Sequence, residues 1–262
     1  MIAFAKRARL FALELIVPVA LLVLWWFASK DSTSPYFPPL SESWQEFKNV
    51  YIWDGFRDDV LAVSLKHFIV GFVVGVSVGF AVGLLIGLSD RARRNLAPLT
   101  EFFRATPIVA LIPAALIMVG PGMTLEAGLI ALGTNWSVML NTADGVRGVD
   151  PVMIDSARAY GLSRSQQIRK IIIPAAMPQV LAGVQVAVAL GIAVMVVANM
   201  FVSTEGIGYR VVEAQVNFDP KGSWAGIFMI ALIGLVITVI YNTIHNRLLA
   251  WHRGWRGTAG TN

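Results

Sequence analysis

The sequence predicts an all-α membrane protein with six transmembrane helices, and three observations carry that prediction. Apolar residues make up 56% of the 262 positions and charged residues only 14%, against about 25% charged in an ordinary soluble domain. A chain so poor in charge cannot cover a globular surface with solvated groups, and its mean hydropathy of +0.66 agrees. Apolar runs recur at lengths close to the roughly 17–25 residues that cross a bilayer as a helix. The basic residues, finally, are concentrated in alternate inter-run segments, as the positive-inside rule requires of a multispan chain.

The first run spans about 10–28, behind Lys6, Arg7 and Arg9. Trp25 and Trp26 stand where a signal-peptide cleavage site would need small residues, so the run reads as a retained span with its tryptophans at the far interface. Glu14 lies low enough to reach back to water. Ser29 to Asp59 is polar, aromatic and proline-rich, a loop with one short surface helix from Ser41 as N-cap towards Val50.

The second span covers about 64–88, with Gly71, Gly75, Gly79, Gly83 and Gly87 at every fourth position. That spacing puts one small-residue stripe on one helix face, where a neighbouring helix can approach closely. Gly75-Val76-Ser77-Val78-Gly79 also matches the G-x-S-x-G nucleophile pattern, but that chemistry needs a strand-turn-helix context and a His and acid partner. A mid-span serine has neither, so packing is the preferred reading and an intramembrane hydrolase using Ser77 the enzyme-class rival.

Asp90, Arg91, Arg93 and Arg94 form a basic segment. Pro98, Pro107 and Pro113 then interrupt Leu96–Val119, which predicts a kinked helix, or a surface helix leading into a span over about 105–119. Gly120-Pro121-Gly122 makes a turn into the fourth span, about 123–142. Glu126 near its start reads as solvated charge at the outer interface, and so does Glu205 in the later loop Ser203–Ser223. The fifth and sixth spans are about 178–202 and 224–244, within a single transmembrane domain covering 1–262.

Placing the N-terminus, 89–104, 143–177 and the tail on one side of the membrane collects 15 of the 21 Lys and Arg residues there. That side is cytoplasmic by the positive-inside rule, and six spans bring both termini to it. Topology accounts for the net charge of +5, and without a clustered basic face no nucleic-acid partner is expected. There is no cysteine, and His67, His245 and His252 are not spaced as a metal site, so no metal and no cofactor is expected in the chain.

Asp155 to Pro174 is the long polar segment between apolar runs, within a cytoplasmic stretch 151–174. Asp150 as N-cap and Pro151 in the first turn start a short helix that should stop at Gly161, a residue free to adopt the left-handed conformation. Ser163 is positioned to cap a second helix. Ile154, Ala157 and Arg158 fall at i, i+3 and i+4, a narrow small-residue face suited to a partner's groove; a solvated loop helix is the other reading of the same pattern.

Asp155-Ser156-Ala157, then Gly161, then Ile173-Pro174, resembles the EAA motif of ABC-importer permeases, with Asp for the usual Glu and Ser for the first Ala. Further matches run through the chain in order: Phe37-Pro38-Pro39-Leu40-Ser41, Thr106-Pro107 with Ala110 to Pro113, Asn141 to Arg147, Val149-Asp150-Pro151 and Gly206-Ile207-Gly208-Tyr209. Together they resemble the subfamily that imports nitrate, sulfonates, taurine, bicarbonate or thiamine precursors.

The resemblance implies a type I ABC-importer permease fold in the bacterial cytoplasmic membrane and a homodimer forming the pathway for a small polar or anionic solute. It also implies an extracytoplasmic solute-binding protein and two ATPase subunits that use ATP and Mg. The ATPases would couple through the 151–162 helix, at Asp155, Ser156, Ala157, Arg158, Tyr160, Gly161 and Leu162. The chain has no G-x-x-x-x-G-K-[ST] loop, so it is expected to be a non-catalytic subunit; a stand-alone channel or ion-coupled carrier is the rival transport reading. Asn135, Gln185 and Asn199, with Trp136 as a gate or stacking surface, are the candidate pathway residues, because polar groups at membrane depth face the bundle interior or a water-filled path. For each Asn or Gln the alternative is an interhelical hydrogen bond.

Overall fold

The computed structural model describes residues 16–17, 19–34, 36–54 and 60–251. Lys6, Arg7, Arg9, Glu14, Arg57, Asp58, Asp59, His252, Arg253 and Arg256, and the start of the first expected span, lie outside the described residues. Among the described residues every regular element is helical: α1 Val19–Ser29, α2 Leu40–Phe47, α3 Val60–Leu88, α4 Asp90–Ala105, α5 Ile108–Val119, α6 Met123–Arg147, α7 Pro151–Ala159, α8 Arg164–Gln167, α9 Ile173–Phe201, α10 Ile207–Val216 and α11 Pro220–Leu248. A π-helical turn extends α2 over Lys48–Asp54, and another, Ile168–Ile172, joins α8 to α9.

The chain forms two compact units, residues 1–58 with 210–229 and residues 59–209 with 230–262. In the first, Trp25 packs against Trp224, Phe228 and Phe37 with ring centroids 4.6, 5.4 and 6.0 Å apart, and Lys221 Nζ pairs with Glu42 at 2.7 Å. The short surface helix is present as α2, but it begins at Leu40 after Pro39, with no side-chain cap. Ser41 sits inside the helix, because the fixed φ of Pro39 already sets the turn that the serine was expected to make.

In the second unit α6 lies between α3 and α9. The five-glycine stripe of α3 is turned onto α6: a Cβ at Gly71 would sit 2.5 Å from the Ala127 carbonyl oxygen, and one at Gly79 2.6 Å from that of Asn135. The sequence pattern thus becomes backbone-to-backbone packing, with van der Waals contact along the whole seam.

Three helices are long and apolar enough to cross a membrane by length and composition: Val60–Leu88, the continuous 38-residue run Arg164–Phe201, and Pro220–Leu248. The proline-interrupted segment is a bent pair, α4 and α5 meeting at 95°, and α4 has no buried residue, as a surface helix should. The break falls at Thr106-Pro107, where the pre-proline residue is extended because proline disfavours the helical region before it. α6 is the most polar of the long helices and also the most enclosed, with twelve buried residues; neighbours rather than lipid surround it.

Several boundaries differ from those expected. α6 continues to Arg147, beyond the expected end at 142, and the helix capped by Ser163 runs on from Arg164 into the fifth span, expected from about 178, without a break. The 203–223 loop contains α10, held by buried Ile207 and Val211.

Candidate functional site

At one end of the second unit the chain turns out of α6 into α7. The Asp150 carboxylate accepts the Val152 N–H at 2.9 Å, satisfying one of the donors that a helix start leaves open. At the far end Gly161 has φ +73°. Its N–H donates to the Arg158 carbonyl at 2.9 Å and the Leu162 N–H donates to that of Ala157 at 3.0 Å. These two bonds are the Schellman arrangement, which closes a helix and reverses the chain direction. Ser163 then caps the next helix reciprocally with Gln166, at 3.4 and 2.8 Å, and Gln167 Nε2 donates to the Leu162 carbonyl at 2.7 Å. Both ends of the corner are thereby hydrogen-bonded, and α7 is attached to the start of the 38-residue helix.

Of the face the spacing indicated, Arg158 is turned outward, whereas Ile154 and Ala157 are turned inward. Ala157 is 4% exposed, and Ile154 packs on the cluster of Val146, Val149, Ile172, Ala176 and Val180. The small-residue face therefore seats α7 on its own chain. Exposed together with Arg158 are Val152 and Tyr160, 68% and 85%, and Asp155, Ser156 and Gly161, while Leu162 is half-buried. Burial of Ala157 and the packing of half-buried Ile154 on the chain's own apolar cluster decide this. Asp155 pairs with Arg158 at 3.0 Å on the exposed surface, and the cap is Asp150, as expected. Beside the inner face a cavity of about 480 Å³ is lined by Arg147, Arg158 and Arg164 among apolar residues.

The four intramembrane candidates are not gathered together. Gln185 is exposed, Trp136 is half-buried and stacks on Phe103 with centroids 5.9 Å apart, and the Asn135 Oδ1 is buried without a hydrogen-bond partner among the described residues. Asn199, fully buried, belongs to a network that sequence reasoning missed. Ser64 Oγ donates to Asn199 Oδ1 at 2.6 Å and accepts the Ile207 N–H at 3.0 Å. Asn199 Nδ2 donates to Glu126 Oε2, and His67 Nδ1 lies 2.9 Å from the same oxygen.

Glu126 was expected to be solvated and is instead 0% exposed. It sits one turn into α6, and the residues around it on α3 and α9 close over it. The available signal was that His67 and Glu126 are both ionisable residues within the expected second and fourth spans. Glu205 is exposed, as expected, and Ser77 lies on an exposed side of α3.

Residues 71–250 match the family model of the binding-protein-dependent transport system inner membrane component. The taurine transport system permease protein of Escherichia coli (strain K12) is 30% identical over 238 residues, 88% of this chain and 86% of its own length. A putative aliphatic sulfonates transport permease protein of the same organism is 30% identical over 243 residues, 90% of each chain. Among solved structures, a chain of a bacterial alginate ABC transporter, in complex with an alginate pentasaccharide-bound periplasmic protein, superimposes with a TM-score of 0.63 at 14% identity, covering 93% of this chain and 96% of that one. The last likeness concerns the fold alone, whereas the family match covers α7 and its glycine corner: the chain belongs to the family of inner membrane components of binding-protein-dependent transport systems.

Proposed function

We propose that this chain is the pathway-forming permease subunit of an ATP-driven importer for a small organic sulfonate or a similar polar or anionic solute. It works as a homodimer of six-span subunits in the bacterial inner membrane, with both termini cytoplasmic. Two ATPase subunits dock on the outward face of α7 and supply the ATP and Mg chemistry. An extracytoplasmic binding protein delivers the solute to the opposite end.

The observation that supports this most is the mounting of α7. A nine-residue helix with an exposed outer face is joined through a fully hydrogen-bonded corner to a helix of 38 residues. A push on α7 is therefore transmitted to a membrane-length rod rather than absorbed in a loop. Asn135, Trp136 and Gln185 remain the candidates for contact with solute along the pathway, and Asn199 for holding helices together.

The test is uptake of radiolabelled taurine and ethanesulfonate into proteoliposomes. Uptake is expected when the cognate ATPase and binding protein are supplied with ATP, and from none of the components alone. Uptake by the purified chain without them would establish a carrier or channel and overturn the proposal.

A further inference from the structure

Glu126 is placed as a ligand-binding acid would be. Its Oε2 takes both donors of the network, Asn199 Nδ2 and His67 Nδ1, so with an ionised carboxylate the Nδ1 of His67 carries the proton. Its Oε1 is buried and has no hydrogen-bond partner among the described residues. A fully enclosed carboxylate oxygen without a donor is costly, and folds keep such a group where something else binds it.

Glu126 and His67 both line a cavity of about 350 Å³ at the end of the second unit away from α7, where the turn before α6 and the segment after α9 come together. His67, with a side chain 10% exposed, is the wet edge of the pair. The same wall carries Glu205, Ser203 and Thr204, and none of the described lining residues is Lys or Arg. Two carboxylates on a wall without Lys or Arg, one of them hydrogen-bonded to the His67 ring, repel a simple anion and attract a cationic hydrogen-bond donor.

We propose that this cavity is a subsite for an ammonium group, with Glu126 Oε1 as acceptor and the His67 edge and Glu205 as its flanks. Resting on the importer reading, this narrows the solute to a zwitterion that carries an amine as well as its acid group.

The experiment compares taurine, which has the ammonium, with ethanesulfonate, which lacks it. In proteoliposomes holding the complete transporter, Glu126→Gln should lower the ratio of taurine to ethanesulfonate uptake by about tenfold, the worth of one charged hydrogen bond. In parallel, the purified permease should be thermally stabilised by taurine and not by ethanesulfonate, and Glu126→Gln should abolish the difference. An unchanged uptake ratio in Glu126→Gln with intact transport overturns the subsite and leaves the importer reading standing. Absence of ATP-dependent uptake of either solute counts against the importer reading, and the stabilisation assay then decides the subsite by itself. Should Glu126→Gln fail to assemble, Glu205→Gln on the exposed flank serves instead: a ratio reduced about twofold or more by loss of a neighbouring charge supports the subsite, and the wild-type ratio overturns it.

Discussion

Ser64 Oγ donates to Asn199 Oδ1 at 2.6 Å, linking α3 to α9 across 135 positions of sequence, and both residues are fully buried. The same asparagine donates onward to Glu126 on α6, so one amide joins the three helices of the bundle. Asn199→Leu keeps the number of side-chain heavy atoms but removes a donor from the Glu126 carboxylate and the acceptor of the Ser64 hydroxyl. The expected destabilisation is about 1–3 kcal/mol, read as a lower melting temperature of the solubilised protein. Ser64→Ala should act in the same direction, since the Ile207 N–H then loses its acceptor. Wild-type melting in both variants would show that the network contributes nothing.

The glycine seam predicts a contrast two residues apart. A side chain at Gly79 would press on the Asn135 carbonyl oxygen at 2.6 Å and on Val138 Cβ at 3.0 Å, and backbone cannot move aside as a flexible side chain can. Gly79→Val should destabilise by about 1–3 kcal/mol through overpacking. Ser77→Ala, on an exposed side of the same helix, should stay within about 0.5 kcal/mol and keep full transport. Loss of function in Ser77→Ala with normal folding would revive the nucleophile reading of that serine.

Coupling can be separated from stability at α7. Nothing lies within 4 Å of a Cβ built at Gly161, so its φ of +73° is the sole obstacle to a side chain there. Gly161→Val should distort the corner at a backbone cost of about 1–2 kcal/mol and reduce both ATPase co-purification and uptake. Gly161→Asn should retain most of each, because asparagine tolerates the left-handed region. Asp155→Lys removes an exposed ion pair with Arg158 whose partners are 70% and 65% exposed, a change within about 0.5 kcal/mol. It should nevertheless weaken ATPase binding by reversing charge on the outward face, and full binding by both Gly161→Val and Asp155→Lys would remove α7 from the coupling scheme.

Tyr51, in the first unit and outside the spans, has its phenol raised above the usual 10.0 by burial, with the charge of Arg210 pulling the other way. The folded protein thus holds this proton more tightly than the unfolded chain does. The associated stability is intact below pH 10 and is lost as pH rises through the folded value. Tryptophan emission, which includes Trp25 and Trp224 of the same unit, should shift during alkaline titration above about pH 10, and Tyr51→Phe should move the onset upward. An identical onset in the two proteins would exclude Tyr51 as the titrating group.

The sequence by itself determined the apolar runs, the small-residue seam of α3 and the corner between α7 and α8. Each of these is local: hydropathy over about 20 residues, a repeat of four on one helix, and a capping aspartate, a proline and a glycine within twelve positions of each other. Ser163 as a cap and the break at Pro107 are equally local, and the structure has both.

Tertiary structure alone decided which face of α7 is free, because Ala157 is buried and Ile154 packs on the apolar cluster of Val146, Val149, Ile172, Ala176 and Val180. It also decided that Glu126 is enclosed. A polar residue in an apolar run is compatible with surface, pathway or interhelical bonding, and the choice is made by side chains far away in the chain. For Glu126 those are His67 and Asn199, 59 and 73 positions distant, and only the close approach of α3 to α6 along the glycine seam brings the first of them within hydrogen-bond reach.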